Sequence, residues 1–351
     1  MEKLWEENIR RVEPYVPGEQ PKSADVIKLN TNENPYPPAP SVLKLAGELS
    51  WNPMRRYPDP CATELVEALA AQYGLKPEQI FVGVGSDDVL SMCFLTYFYG
   101  KKPILFPDIT YSFYSVWAEV YRIPYERPVL DENFNIRAED YYRENGGVVI
   151  ANPNAPTSIY RDLDFIRDIL DHNRDVIVIV DEAYIDFAGP SAVSLLEEYD
   201  NLVVVQTYSK SRSMAGLRVG YAMASPELIR CLNDVKYSVN SYTMNYPSIR
   251  LGAEAARCVE YYRETAAKIV ATRERTVKEL AALGFTCLPS GANFVFARHE
   301  KKGGNEIFTA LREHNVYVRH FHGDRIEDYL RITIGTDEEM DRLFALLRDI
   351  L

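Results

Sequence analysis

Apolar runs without polar alternation recur along this chain: Val148-Val149-Ile150, Val176-Ile177-Val178-Ile179-Val180 and Leu202-Val203-Val204-Val205. Successive strand residues point to opposite faces, so a strand with one wet face alternates apolar and polar side chains, and a strand covered on both faces does not. The segment from Asp162 to His172 carries helical spacing between two of these runs. Strand, helix and strand in that succession favour a buried, mainly parallel sheet with helices on its faces. In such sheets functional loops collect at the carboxyl ends of the strands. Asp181-Glu182-Ala183-Tyr184 stands at one such end and Thr207-Tyr208-Ser209-Lys210 at another.

Lys210 lies in a hydroxyl-rich connection between the run ending at Val205 and a further apolar piece, Val219 to Met223. Hydroxyls on both sides, with Arg218 eight positions on, make a phosphate pocket beside a potential amine nucleophile. Upstream, Ile80-Phe81-Val82 leads into Gly83-Val84-Gly85-Ser86-Asp87 and then a helical stretch from Val89 to Phe98. That is strand, glycine turn and helix N-terminus, with Ser86 or Asp87 as N-cap and free backbone N–H groups for an anion. A short G-x-G is weak by itself and is not the dinucleotide fingerprint. The chemistry these pieces allow is an imine between Lys210 and an aldehyde. Asp181 would pair with a protonated ring nitrogen, Tyr184 would bond a ring oxygen, and Ser209, Arg218 and the turn after Gly85 would hold a phosphate ester. Taken singly, each residue has a plain structural reading: Lys210 a solvated loop cation, Asp181 a loop cap, Tyr184 apolar packing, Arg218 an ion pair.

At 351 residues the chain exceeds one typical domain. Two are expected: residues 30–250 as a large cofactor-binding domain, and residues 1–29 with 251–351 as an N-terminal arm and a small α+β substrate-capping domain. Lys3 to Val12 has the spacing of a short helix, which Pro14, Pro17, Gly18 and Pro21 stop. Ala253 to Leu283 reads as one long helix connecting the two domains, and Tyr329 to Ile334 as a strand before a helix starting at Asp337.

The formal net charge of -12 disfavours a nucleic-acid partner, and no apolar run approaches a membrane span. Five cysteines without paired or metal-type spacing suit free thiols in a reducing compartment. Five histidines, at 172, 299, 314, 320 and 322, are dispersed and give no metal-ligand cluster, so no metal is expected. The first twenty residues are charged and polar, unlike a signal peptide, and the cytoplasm is the expected location.

Leu29-Asn30-Thr31-Asn32-Glu33-Asn34-Pro35, Arg56-Tyr57-Pro58, Gly83 to Asp87, Asp181 to Tyr184, Ser209-Lys210 and Arg331 to Thr336 form an ordered set that spans nearly the whole chain. With that set the sequence resembles the fold type I, aspartate aminotransferase-like pyridoxal-phosphate enzymes, especially the histidinol-phosphate aminotransferases. The resemblance implies an α/β fold: a large domain with a mainly parallel seven-stranded sheet flanked by helices, plus a smaller α+β domain. It implies pyridoxal 5'-phosphate as cofactor, with Lys210 as the imine-forming lysine and proton carrier, Asp181 as the ring-nitrogen partner and Tyr184 as the phenolic-oxygen partner. Tyr111 would stack on the ring. Thr207, Ser209 and Arg218, with the backbone at Ser86 and Asp87, would contact the phosphate. Tyr57 would reach that phosphate from the neighbouring subunit, which implies a homodimer with shared sites.

The implied reaction is transamination of L-histidinol phosphate with 2-oxoglutarate to give imidazole-acetol phosphate and L-glutamate, in histidine biosynthesis. Arg331 matches the arginine that binds a substrate carboxylate. Histidinol phosphate has none, so Arg331 would meet its phosphate instead, with Arg319, Tyr15 and Asn34 lining the same pocket. An aromatic amino-acid aminotransferase is the nearest alternative, and a pyridoxal-phosphate decarboxylase of a phosphorylated amino acid is a more distant one. One departure stands out: where the family's N-P-T-G element carries a cofactor-binding asparagine, this chain reads Ala155-Pro156-Thr157-Ser158. Asn154 or Asn152 is then the candidate to supply the missing amide.

Overall fold

The computed structural model describes residues 3–21 and 25–351. Its largest sheet has seven strands, in the spatial order Ile80–Gly83, Gly220–Ala224, Leu202–Thr207, Val178–Asp181, Val148–Ala151, Ile104–Leu105 and Tyr125–Glu126. All neighbours run parallel except Gly220–Ala224, which is antiparallel to both strands beside it.

The apolar runs are explained by what covers them. Val148, Ile150, Val178, Val180, Leu202 and Val204 belong to one core, and Val149, Ile179, Val203 and Val205 to another on the opposite face. Each of these side chains is fully buried, and burial of a Val or Ile contributes roughly 1.5–3 kcal/mol. A polar residue at any of these positions would face a dry layer whichever way it pointed. The helices Thr63–Tyr73, Ser86–Tyr97, Phe113–Tyr121, Leu163–Asp171 and Pro226–Val239 supply the layers.

A third core belongs to a four-stranded antiparallel sheet ordered Arg319–His320, Tyr329–Thr333, Phe294–His299, Phe285–Cys287. The helices Gly304–Glu313 and Asp337–Ile350 pack on it, the second opened by a reciprocal capping box between Thr336 and Glu339. The segment after the N-terminal arm is tied to this smaller unit: Ile27–Lys28 pairs in parallel with Val316–Tyr317.

Three local expectations need correction. The single long helix from Ala253 to Leu283 is two helices, Tyr246–Ala256 and Val259–Ala282, broken at Arg257-Cys258. No glycine or proline marks that break, so the apolar spacing reads straight through it. The N-cap of the helix after the glycine turn is Gly85, at φ +87°, and not Ser86 or Asp87. The stretch from Lys3 to Val12 holds only a 3-10 turn, Leu4–Asn8. Among the described residues no helix is long and apolar enough to cross a membrane.

Candidate active site

Three strands of the large sheet end side by side at Ala151, Asp181 and Thr207. Their carboxyl ends, the glycine turn before Ser86 and the segment Asn30–Glu33 enclose a cavity of ≈ 340 Å³. Lys210, Asp181, Tyr184, Ser86, Asp87, Tyr111, Thr207, Ser209, Arg218, Arg331, Arg319 and Tyr15 all line it. Twelve of the fifteen residues singled out in the sequence therefore meet in one place.

Lys210 is partly buried, and its Nζ donates to the carbonyl of Thr31 at 3.0 Å. Burial, and next the positive charge of Arg331, bring its pKa down to about 8. Asp181 ends its strand in a dry position, 5% exposed. The Tyr114 hydroxyl donates to its Oδ2 at 2.7 Å and the Ala183 amide to its Oδ1 at 3.2 Å. Burial outweighs those bonds and raises the Asp181 pKa to about 6. Tyr184 packs edge-on against Phe294, with ring centroids 5.1 Å apart, and its hydroxyl accepts from Asn32 Nδ2 at 2.9 Å.

The other side of the cavity gathers a guanidinium and two hydroxyls beside a helix N-terminus, donors of the kind that can cradle an anion. Arg218 reaches Ser209 Oγ at 3.5 Å and Asp87 Oδ2 at 3.2 Å, while Thr207 Oγ1 lies 3.0 Å from Ser209 Oγ. The first-turn N–H groups of the helix Ser86–Tyr97 have no acceptor within the helix. Two glycines let these parts approach. A Cβ on Gly220 would sit 2.2 Å from the carbonyl carbon of Gly85, and one on Gly85 would sit 2.4 Å from Arg218 Nη2. The Asp87 carboxylate is held by Tyr111 as well as by Arg218, the hydroxyl donating at 2.8 Å.

Arg331 stands on the strand Tyr329–Thr333 of the small sheet, between the rings of Phe294 and Phe321. Its Nη2 donates to the carbonyl of Asn30 at 2.9 Å, and its buried Nε has no protein partner. Arg319 binds the carbonyls of Val16 and Pro17 at 3.0 and 3.3 Å, and Tyr15 stacks on Phe113 at 4.2 Å. These three residues and Tyr111 also line an adjoining groove that runs out past Phe321 and Arg325.

Three sequence candidates do not reach the cavity. Asn154 is buried, with its amide donated to Ile109 O and Thr157 Oγ1 at 3.0 and 2.8 Å and its Oδ1 accepting from Thr110 at 2.7 Å. It closes its own loop, and the neighbouring methyl of Ala155 lines the cavity in its stead. Asn34 is likewise spent, bonding Ser211 O at 3.1 Å and the Tyr36 amide at 2.9 Å. Tyr57 is 81% exposed on a separate face of its own chain, stacked on Tyr242 at 4.6 Å. The alternative, Asn152, bonds Arg161 through both its amide and its oxygen at 2.8 Å.

Residues that sequence reasoning missed are Tyr114, which holds Asp181, and Asn32, which holds Tyr184. Tyr114 could have been found from its place three residues after Tyr111, in the first turn of the helix Phe113–Tyr121. Asn32 lies inside the Leu29 to Pro35 motif, where nothing in the spacing gives it a role. His320, His322 and Glu327 bring ligand atoms within 4.8 Å of one another at the rim, closer than the dispersed histidine pattern suggests. There His320 Nε2 is already bonded to the Glu327 carbonyl at 2.6 Å.

The sequence profile of the family described as Aminotransferase class I and II matches residues 24–347. The histidinol-phosphate aminotransferase of Clostridium beijerinckii (strain ATCC 51743 / NCIMB 8052) is 49% identical over 351 residues, all of this chain and 98% of that protein. The protein of the same name from Pseudomonas putida (strain KT2440) is 50% identical over 348 residues, 99% of this chain and all of its own. Among solved structures, the histidinol-phosphate aminotransferase from Sinorhizobium meliloti, in complex with pyridoxal-5'-phosphate, superposes with a TM-score of 0.85 at 24% identity, covering 93% of this chain and 92% of its own.

Proposed function

From a chain that belongs to the class I and II aminotransferase family, we infer a pyridoxal-phosphate-dependent aminotransferase. It moves the amino group of L-histidinol phosphate to 2-oxoglutarate, giving imidazole-acetol phosphate and L-glutamate. The observation that carries this reading is the meeting, in one cavity, of an amine held at a lowered pKa and an arginine with a buried, unpartnered Nε. The near-50% identity over the full length to relatives named for that substrate supports the choice of histidinol phosphate.

The donor set fits the cofactor. Pyridoxal phosphate carries an aldehyde, a phenolic oxygen, a pyridine nitrogen and a phosphate, and the cavity offers in turn Lys210, Tyr184, Asp181 and the Ser209–Arg218 cradle with its two close-packed glycines. When bound, the cofactor supplies an aldehyde that captures amines and a ring that accepts the electron pair left on the substrate carbon.

The rest is done by the chain. At pH 7.5 a lysine with a pKa near 8 is neutral in roughly a quarter of molecules, against about 0.1% at the ordinary 10.5. Lys210 is thereby both nucleophile and base, and its Nζ would carry the proton from the amine-bearing carbon of the substrate to the carbon of the cofactor that bore the aldehyde. The Asp181 carboxylate, buried beside Tyr114, would hold a proton on the ring nitrogen of the bound cofactor. Arg331 orients the substrate through the anion it carries, the phosphate of histidinol phosphate or a carboxylate of glutamate. Tyr15, Tyr111 and Phe113 form an aromatic cluster on the cavity wall.

We assign residues 30–250 to cofactor binding, and residues 1–29 with 251–351 to the arm and the cap. A homodimer in which Tyr57 completes the partner's phosphate cradle accounts for an aromatic hydroxyl lying exposed outside its own cavity. Five free thiols fit a reducing compartment, and the cytoplasm is the location proposed. The test is covalent: borohydride reduction of the cofactor-loaded protein, then peptide mapping. The cofactor is expected on Lys210 alone and on no peptide of Lys210→Ala; attachment at another lysine would overturn the assignment.

A further inference from the structure

The cavity has no asparagine at position 155, yet an amide does reach the ring partner Tyr184. We propose that Asn32 is a positioning residue: it fills the acceptor side of the Tyr184 hydroxyl, turns that hydroxyl's proton into the cavity, and so makes up for the amide absent at Ala155. The proposal rests on the cofactor reading above.

Asn32 Nδ2 lies 2.9 Å from the Tyr184 oxygen, with Asn32 only 1% and Tyr184 9% exposed. Its orientation is fixed by a second pair of bonds. The Asn32 backbone amide donates to Thr333 Oγ1 at 3.1 Å, and Thr333 Oγ1 donates back to Asn32 Oδ1 at 3.0 Å. With Oδ1 occupied by the Thr333 proton, the NH₂ group is the end that faces Tyr184. A phenol that accepts from Asn32 cannot also donate to it, so its single proton is free for an oxygen in the cavity. No other hydrogen bond of Tyr184's hydroxyl competes among the described residues.

The backbone at 32 is chosen for the task. Its φ is +58°, a left-handed conformation that Asn adopts more readily than most residues. Its carbonyl is held by Asn293 Nδ2 at 2.9 Å. Asn32 is thus anchored to the small sheet, through Thr333, while Tyr184 follows directly on the large-sheet strand ending at Asp181. The amide also works against the effect of burial, which raises the pKa of Tyr184, by favouring its ionised form. Asn154 cannot do this work, because all three of its bonds are made within its own loop and the adjoining Ile109-Thr110 turn.

The experiment compares cofactor-loaded wild type with Asn32→Ala, Thr333→Val, Ala155→Asn and the double variant Asn32→Ala/Ala155→Asn. The readouts are the pH midpoint of the bound cofactor's absorbance, the cofactor Kd, and the thermal unfolding of each apo protein. Asn32→Ala is expected to raise the midpoint by about one pH unit, a tenfold change in proton affinity, and Thr333→Val to shift it the same way by less. Ala155→Asn is expected to bring the double variant back towards wild type. An unchanged midpoint in Asn32→Ala with only lowered thermal stability would reduce Asn32 to a structural role and overturn the proposal. So would a shift that Ala155→Asn leaves uncorrected. Should Asn32→Ala not fold, Thr333→Val decides: an unmoved midpoint there overturns the proposal, since Thr333 is what orients the Asn32 amide. Failure of wild type itself to take up pyridoxal phosphate would instead reject the functional reading beneath it.

Discussion

Burial sets the chemistry of individual side chains at this site, and its cost can be measured. The folded chain holds the Asp181 carboxyl at a pKa of about 6, against 3.8 for the ordinary group. The native state therefore binds this proton more tightly than the unfolded state. The stability it contributes is full below about pH 4 and is lost as the pH rises through 6. That difference in proton affinity corresponds to roughly 3 kcal/mol. Asp181→Asn, which keeps an oxygen for Tyr114 to donate to, should exceed the stability of the apo wild type by only about 1 kcal/mol at pH 4.5. At pH 8 it should be more stable than wild type by up to about 3 kcal/mol. Urea unfolding at the two pH values checks this, and equal stability at pH 8 would show that Asp181 is not desolvated as described. That Lys210, Asp181, Tyr184 and Arg218 line one cavity was legible in the sequence, because strand ends of a parallel sheet lie side by side and residue type and order mark them. Asn154 and Asn34 were misplaced because an amide's direction is set by what closes around it. Thr110 and Thr157 capture the first, and Ser211 and Tyr36 the second; spacing records none of that.

Among elements, the glycine turn and the antiparallel strand beside it show what an apolar pattern leaves out. The pattern locates the strand Gly220–Ala224 but does not say that its first residue abuts Gly85. Gly220→Ala would drive a methyl into the backbone at Gly85 and Ser86. Overpacking of this kind costs roughly 1–3 kcal/mol, and here it also spreads the anion cradle. Gly47→Ala is the contrast, in the exposed helix Pro40–Glu48 with nothing within 4 Å of the added carbon. It should stabilise by up to about 1 kcal/mol. Thermal unfolding and the cofactor Kd of the two variants should move in opposite directions in stability, with Kd raised in Gly220→Ala alone. A Gly220→Ala protein of unaltered affinity would place the phosphate elsewhere. The break at Arg257-Cys258 was illegible for a related reason: Ala255 and Ala256 before it and Tyr262 after it pack in one core, and Ala266, Ile269 and Leu280 carry the apolar spacing on into the core of the small sheet.

At the scale of the whole molecule, two dry layers around one sheet account for the α/β architecture, and uninterrupted strands announce them in the sequence. The placement of Arg331 could not be read that way. Its strand belongs to a different sheet, and in the cavity it meets the Asn30 carbonyl from a segment distant in the chain. Assembly is the remaining step. If Tyr57 serves the partner's site, a refolded mixture of Tyr57→Ala and Lys210→Ala chains should recover tight cofactor binding in hybrid dimers. Random pairing would restore roughly a quarter of the sites. The mass in solution should be about 80 kDa, twice the 40.1 kDa of one chain. A monomer, or a mixture no better than its components, would confine each site to one chain.

The identity of the amino donor is decided by one half-reaction. Protein loaded with pyridoxal phosphate is mixed in turn with histidinol phosphate, phenylalanine and tyrosine, while the bound cofactor's absorbance and the released product are followed. Conversion to the aminated cofactor should be fastest with histidinol phosphate, should yield imidazole-acetol phosphate, and should be reversed by 2-oxoglutarate. Rapid conversion by an aromatic amino acid with no response to histidinol phosphate, or release of carbon dioxide in place of a keto product, would contradict histidinol phosphate as that donor.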